Sequence, residues 1–162
     1  MPAPLPFTFD PDVDLMIERV IDVPPHLVWR AWTEPANLMP WFCPRPWSVT
    51  HCDIDLRPGG TFATTMRSPD GNEFPNVGCL LEIVPERRLV FTDAMLTDFR
   101  PSANPFMTGV VLIEPHGAGT HYRAIARHKD VETRAKHEEM GFALGWNAAL
   151  DQLVEHAATM RS

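Results

Sequence analysis

Cysteine is scarce in this chain, and its spacing excludes two kinds of site. The chain contains only three cysteines, Cys43, Cys52 and Cys79. An odd number does not make a paired disulfide framework, and no two of them have the CxxC spacing of a metal pair. We therefore expect free thiols in a reducing environment, as in a cytoplasmic protein.

Clustered positive charge and long apolar runs are also missing. The 14 basic residues are scattered through a chain of net charge −7, and no Lys/Arg-rich run occurs. No stretch of about 18 consecutive apolar residues is present. The first residues, "MPAPLPFTFDPDV", lack the basic start and the apolar run of a signal peptide. These absences argue against a nucleic-acid partner and against membrane insertion, and they favour a cytoplasmic location.

The histidines do not form a recognisable metal-binding motif. The segment "HEEMG" begins like the HExxH helix of zinc proteases, but Gly141 stands where the second histidine is required. The remaining histidines show no close ligand spacing. The glycines of "RPGG" and "HGAG" lie in hairpin turns and not in a strand-to-helix phosphate loop. We expect no metal and no cofactor, and no catalytic residue is assigned.

The distribution of proline and apolar residues predicts one α+β domain. Residues 1–13 are predicted to form an N-terminal arm, and residues 14–160 a single domain. A strand in "DLMIERVIDV" precedes two short helices in "HLVWRAWTEP" and "ANLMPWF", which prolines separate. Between residues 48 and 127, alternating apolar residues and short turns predict antiparallel strands joined as hairpins.

The segment after Asp130 contains no proline and predicts a helix. Asp130 is a typical N-cap residue, and helical spacing continues to about residue 160, so we expect one long helix. This helix contains Gly141 and Gly145, although each helical glycine costs roughly 1 kcal/mol relative to alanine. A curved sheet cannot bury its inner face alone, and only this helix is long enough to cover it.

Four segments, in their order along the chain, resemble a known family. They are "ERVIDVPPHLVWRAWTEPANLMPWF", "DIDLRPGGTF", "GCLLEIVPERRLVFTD" and "HEEMGFALGWNAALDQL". The resemblance covers roughly residues 14–157. It is to the START-like (SRPBCC) helix-grip proteins, and among them to the group of the activator of the heat-shock-protein-90 ATPase. It implies a curved antiparallel sheet of six to seven strands around a long C-terminal helix, with two short helices after the first strand.

The resemblance also implies an apolar cavity between the sheet and the C-terminal helix. Strand alternation predicts which side chains point to the inner face, and helical spacing adds two aromatic rings. The predicted ligand-binding residues are Trp41, Phe62, Met66, Phe91, Asp93, Met95, Tyr122, Ala124, His128, Phe142 and Trp146. Aromatic residues of two proline-containing loops are expected at the mouth: Trp41, Phe42, Trp47, Phe99 and Phe106.

Two details of this cavity stay open in the sequence. Asp93 and His128 would offer polar groups to a ligand, but buried polar side chains are more often satisfied by the backbone. Gly141 and Gly145 either leave volume beside Phe142 and Trp146 or accommodate these bulky rings in a filled core.

Three functions are compatible with this fold. Binding of an apolar or amphipathic small molecule without catalysis is the one that we favour. The family name implies a second function, a co-chaperone-like interaction with a chaperone partner. The expectation of one domain, without the extra partner-binding domain of the eukaryotic activators, weakens this alternative. The third is a cyclase- or hydrolase-like enzyme, which needs a convergent acid/base pair in the cavity. The oligomeric state is not determined, and a homodimer stays open.

Overall fold

The fold is built on one large antiparallel sheet. A computed structural model describes residues 3–161 of the chain. Its sheet strands are β1 (Asp14–Ile21), β2 (Ser48–Ile54), β3 (Thr61–Arg67), β4 (Glu73–Val84), β5 (Arg88–Thr92), β8 (Thr108–His116) and β9 (Gly119–Arg127). Their order is β1-β9-β8-β5-β4-β3-β2, and each neighbouring pair is antiparallel. The connection between β5 and β8 contains two short strands and a 3-10 helix: β6 (Met95–Leu96), Thr97–Phe99 and β7 (Arg100–Pro101).

Two short helices follow the first strand, as predicted. They are α1 (Pro25–Thr33) and α2 (Pro35–Leu38). Proline fits the first position of a helix, where its missing N–H is not needed, and it disfavours helix in the residue before it. Pro35 therefore separates the two helices. The buried face of α1 contains Leu27, Val28, Ala31 and Trp32.

The prediction of one continuous C-terminal helix is wrong, because the chain breaks it at Gly141. Helix α3 (Val131–Glu139) begins after Asp130, whose side chain accepts a hydrogen bond from the Thr133 amide at 2.8 Å, as expected of an N-cap. Helix α4 (Phe142–Met160) follows directly. Gly141 has φ of +92°, a left-handed conformation that glycine adopts without the strain of a side chain. The break separates α3 from α4.

Helix α4 covers the inner face of the sheet with one apolar side. Its buried residues include Phe142, Ala149, Leu150, Leu153 and Ala157. They belong to the main core together with inward residues of β1, β5 and β9. The predicted α+β architecture is therefore confirmed, with seven strands in the large sheet.

The N-terminal arm lies on the outer face of the sheet. Leu5, Phe7 and Phe9 pack against a small cluster formed by Val110, Leu112 and Ile125. The Arg127 guanidinium lies 3.9 Å from the centre of the Phe7 ring, a cation–π contact. Residues 1 and 2 of the predicted arm lie outside the described residues.

The helices are too short or too polar to cross a bilayer. Within residues 3–161, no helix has the length and hydropathy required for a membrane span.

Candidate functional site

A cavity of about 620 Å³ lies among β3, β4, β5, the loop after α2 and the beginning of α4. We call it the aromatic cavity, because most of its large lining side chains are aromatic. These are Trp32, Trp41, Phe42, Trp47, Phe62, Phe91, Phe106, Tyr122, Phe142 and Trp146. The cavity is not sealed from solvent, because lining residues such as Trp47 and Val77 are exposed.

The rings on the sheet side are held by packing against each other. Phe62 and Phe91 are stacked, with ring centroids 4.9 Å apart. Trp32 lies 5.6 Å from Phe91 and 5.0 Å from Trp41. Offset and edge-to-face contacts of this kind stabilise aromatic pairs by about 0.5–1.5 kcal/mol beyond their buried area. This wall of the cavity is therefore preorganised.

Two hydroxyl groups of the lining retain unused hydrogen-bonding capacity. The Tyr122 hydroxyl accepts a hydrogen bond from Trp32 Nε1 at 3.1 Å, and its own proton has no acceptor among residues 3–161. Burial raises the pKa of Tyr122, so the group keeps that proton. Thr64 is buried and lines the cavity, and its hydroxyl has no hydrogen-bond partner in the described part of the chain.

Asp93 places a carboxylate at the edge of the cavity. Its Oδ1 accepts hydrogen bonds from the amides of Phe106 and Met107 at 2.7 and 3.0 Å. Asp93 therefore fixes the start of the segment that leads into β8, and this role is structural. The second oxygen, Oδ2, makes no hydrogen bond within residues 3–161.

Two hydrogen-bonded histidines lie at the cavity wall: His137 is part of the lining, and His128 lies behind it. His128 Nδ1 is 2.8 Å from the Val13 carbonyl oxygen, and His128 Nε2 is 2.9 Å from His137 Nδ1. His137 lines the cavity, and its ring lies 5.1 Å from Phe142 and 4.8 Å from Phe106. Burial, and then the charge of His128, lower the pKa of His137 to about 4. His137 is therefore neutral at pH 7.

Most of the predicted ligand-binding residues line the aromatic cavity, and their role in binding stays a prediction. Those in the lining are Trp41, Phe62, Met66, Phe91, Asp93, Tyr122, Phe142 and Trp146. Met95, Ala124 and His128 are not part of the lining.

Each of these three residues has a physical reason for its place. Strand β5 ends at Thr92, so its alternation does not continue to Met95, which pairs with Pro101 in the β6–β7 hairpin. Ala124 is fully buried in the core, so the small inward side chains of β9 do not open a space there. His128 is separated from the cavity by His137, to which it is hydrogen bonded.

His137 and Thr64 are two polar lining residues that the sequence-based prediction did not include. Thr64 lies between Phe62 and Met66 in the same strand phase, so alternation alone would have included it. In the sequence, His137 stands out only as the first residue of the incomplete zinc-protease motif. Its position depends on the turn at Gly141, which no helical periodicity predicts.

The two glycines of the C-terminal segment have different roles. A Cβ at Gly141 would have no atom within 4 Å, so this residue is required for its conformation and not for close packing. Gly145 lines the cavity, and its Cβ would lie 3.8 Å from Pro44 Cγ, an ordinary contact. Gly145 therefore leaves volume at the cavity, whereas Gly141 turns the chain.

The cysteines do not supply a reactive thiolate. Cys43 lines the cavity, but burial raises the pKa of its thiol to about 11. Burial, and then the charge of Asp53, raise the pKa of Cys52 to about 11 as well. Both thiols are protonated at neutral pH. Residues 3–161 contain no group of three or more His, Cys, Asp or Glu side chains able to hold a metal ion.

Comparison with solved structures places this fold among known proteins. A crystal structure of a protein from Nitrosomonas europaea is 46% identical, with a TM-score of 0.92, and the match covers 94% of this chain and 99% of that chain. An AHSA1-like protein from Aeromonas hydrophila has 22% identity and a TM-score of 0.69 over 91% of this chain and 93% of its own. The second similarity shows the fold alone. A search of curated proteins gave no match.

The family model described as "Activator of Hsp90 ATPase homolog 1-like protein" matches residues 22–158. This range contains the two short helices, strands β2 to β9, and almost all of the C-terminal helices. The resemblance in the sequence and the helix-grip fold are thereby confirmed. The chain belongs to the family of Activator of Hsp90 ATPase homolog 1-like proteins.

Proposed function

We propose that this protein binds an apolar or amphipathic small molecule in the aromatic cavity. The volume of about 620 Å³ lies within the range of typical small-molecule sites, about 300–1,000 Å³. Apolar and aromatic lining with a few polar groups is also typical of such sites. A molecule with flat apolar parts would contact the rings of Phe62, Phe91 and Trp146.

The observation that carries this proposal is the set of unused polar groups in the lining. The Thr64 hydroxyl, the Tyr122 proton and His137 Nε2 have no partners among residues 3–161. Polar groups in a completely filled core are almost always hydrogen bonded. Unpaired groups around a cavity are explained if a ligand or water supplies their partners.

We propose binding without catalysis. The lining contains no thiolate, because Cys43 is protonated at neutral pH. Its carboxylate, Asp93, already holds two backbone amides. A cyclase- or hydrolase-like reaction would need a general acid and a general base on opposite sides of a reacting group. The polar groups of the cavity lining are better suited to bind a ligand than to catalyse a reaction on it.

Filling the cavity tests this proposal. The uncharged, environment-sensitive dye Nile red should gain fluorescence with the wild-type protein. Gly145→Leu should weaken dye binding by about ten-fold or more, because overpacking a site typically costs about 1–3 kcal/mol. Replacing a helical glycine does not harm the helix itself.

The matched control is Ala143→Leu, which adds a similar apolar side chain to the same helix at an exposed position. This variant should bind the dye like the wild type. The proposal fails if the wild type does not bind Nile red, or if both variants bind it with unchanged affinity.

Interaction with a chaperone is a second candidate, and one surface feature supports it. Met140 and Leu144 lie on either side of the helix break and are 69% and 84% exposed. Contiguous exposed apolar patches are typical of protein-interaction sites, and these two residues are four positions apart in the chain. The family description names an activator of the Hsp90 ATPase, so Hsp90 is the partner to test.

A further inference from the structure

When both rings are neutral, the hydrogen bonds of the two histidines determine where their protons lie. The Val13 carbonyl can only accept, so His128 Nδ1 carries a proton and donates it across 2.8 Å. A neutral His128 then has a lone pair on Nε2. This lone pair must accept from His137 Nδ1 at 2.9 Å.

This arrangement leaves a lone pair on the second nitrogen of His137. A neutral imidazole carries one proton, and the proton of His137 is on Nδ1. His137 Nε2 is therefore a hydrogen-bond acceptor. It has no partner among residues 3–161, and it retains some accessible surface although the residue is only 7% exposed. Since His137 lines the cavity, this acceptor is available to a ligand.

The charges around the cavity do not favour an anion. The charged side chains of the lining are Asp93 and Arg45. The Arg45 side chain is 64% exposed and is paired with Glu155 at 3.1 Å, so its charge is largely screened by water. A carboxylate in the cavity would meet Asp93 and a neutral His137 without a buried cation to compensate its desolvation.

The other polar groups discriminate less. The hydroxyls of Thr64 and Tyr122 are neutral, and a hydroxyl group both donates and accepts. They can bind many polar groups, but they do not neutralise an anion. His137 Nε2 accepts only, so it selects ligands that carry a donor.

We propose that His137, oriented by His128, anchors the ligand through Nε2, and that the cavity selects neutral aromatic compounds with a hydroxyl group over aromatic carboxylates. This inference rests on the proposed function, since it assigns the ligand class of the same cavity. His137 contacts the ligand, and His128 is a positioning residue that fixes the tautomer.

Three probes with the same ring system test the proposal by calorimetric titration at pH 7. They are 2-naphthol, which has a donor, 2-methoxynaphthalene, which has none, and 2-naphthoate, which is an anion. The wild type should bind 2-naphthol up to about ten-fold more tightly than 2-methoxynaphthalene, the factor expected of one buried hydrogen bond. It should bind 2-naphthoate most weakly.

The variant His137→Phe keeps a ring in the wall and removes the acceptor. It should bind 2-methoxynaphthalene like the wild type and lose the preference for 2-naphthol. If the preference persists in this variant, His137 is not the anchor and the inference is overturned. Tightest binding of 2-naphthoate to the wild type would overturn it as well.

The titrations separate failure of this inference from failure of the proposed function. If none of the three probes binds, the cavity does not bind such molecules and the proposed function itself fails. If 2-naphthol and 2-methoxynaphthalene bind equally, the cavity binds apolar ligands and only the hydroxyl selectivity is refuted.

A measurement on the wild type alone tests the positioning role of His128. The ¹⁵N shifts of imidazole nitrogens distinguish the two neutral tautomers. His137 should have its proton on Nδ1 in the unliganded protein. A proton on Nε2 would overturn the proposal, because the cavity would then present a donor.

Discussion

Gly109 shows how one residue without a side chain shapes the cavity. It pairs with Phe91 across β5 and β8. A Cβ at Gly109 would lie 2.3 Å from Phe91 Cζ, much closer than the roughly 3.5–4.0 Å of a favourable carbon–carbon contact. The Phe91 ring therefore occupies the space above Gly109. This position lets Phe91 stack on Phe62 in the cavity wall.

We expect Gly109→Ala to destabilise the protein by about 1–3 kcal/mol, the usual cost of inserting a methyl group into a packed core. Equilibrium urea unfolding measures this cost. In a Phe91→Leu background the same substitution should cost less, because the ring that it meets is absent. Equal costs in both backgrounds would show that Gly109 and Phe91 are not coupled.

At the scale of elements, the break between α3 and α4 decides what faces the cavity. The break at Gly141 leaves His137 on α3 in the wall, next to the Phe142 ring of α4. The ring centroids of Phe142 and Trp146, which are one turn apart on α4, lie 4.5 Å from each other. A continuous helix would rotate His137 relative to these rings, so the break brings the three side chains together.

The two glycines of this region should respond to alanine in opposite directions. Gly141→Ala should destabilise by about 1–2 kcal/mol, because a side chain disfavours the left-handed conformation. Gly145→Ala should stabilise by up to about 1 kcal/mol, because alanine is the better helix former and its Cβ fits beside Pro44. Urea unfolding midpoints check both changes. A stabilising Gly141→Ala would contradict the role assigned to the break.

The whole molecule presents both an internal cavity and an exposed apolar site. The exposed site, Met140 and Leu144, lies beside the cavity, because Met140 also belongs to the cavity lining. A macromolecular partner that covered these residues would contact the region of the cavity mouth. Met140 belongs to both surfaces, but Leu144 does not line the cavity, so a variant at Leu144 separates partner binding from ligand binding.

If a chaperone is the partner, the protein should raise the ATPase rate of a bacterial Hsp90 in a saturable way. Leu144→Lys should raise the concentration needed for half-maximal stimulation by about five-fold or more, since an interface anchor typically contributes more than about 1 kcal/mol. Val20→Lys is the matched control, because Val20 is 56% exposed on β1. A lack of stimulation by the wild type, or equal stimulation by both variants, would count against this function.

Much of the architecture could be predicted from local patterns in the sequence. Short turns between alternating strands require antiparallel neighbours, and Pro25 and Pro35 mark the starts of two short helices. The break in the helix after Asp130 could not be predicted from periodicity, because glycine is tolerated inside a helix as well as at a break. Only its φ of +92° distinguishes the two cases.

The sequence by itself determined the class of fold and the inward phase of Phe62, Phe91 and Tyr122, because these follow from periodicity and turn chemistry between near neighbours. The family followed from the resemblance of four segments of the chain to known proteins. The tertiary structure alone decided which inward residues meet a cavity and which meet filled core, as Ala124 shows. It also decided the pairing of His128 with His137, and of His128 with the Val13 carbonyl. These contacts join the residue after β9, helix α3 and the residue before β1, so they depend on how the elements pack and not on local spacing.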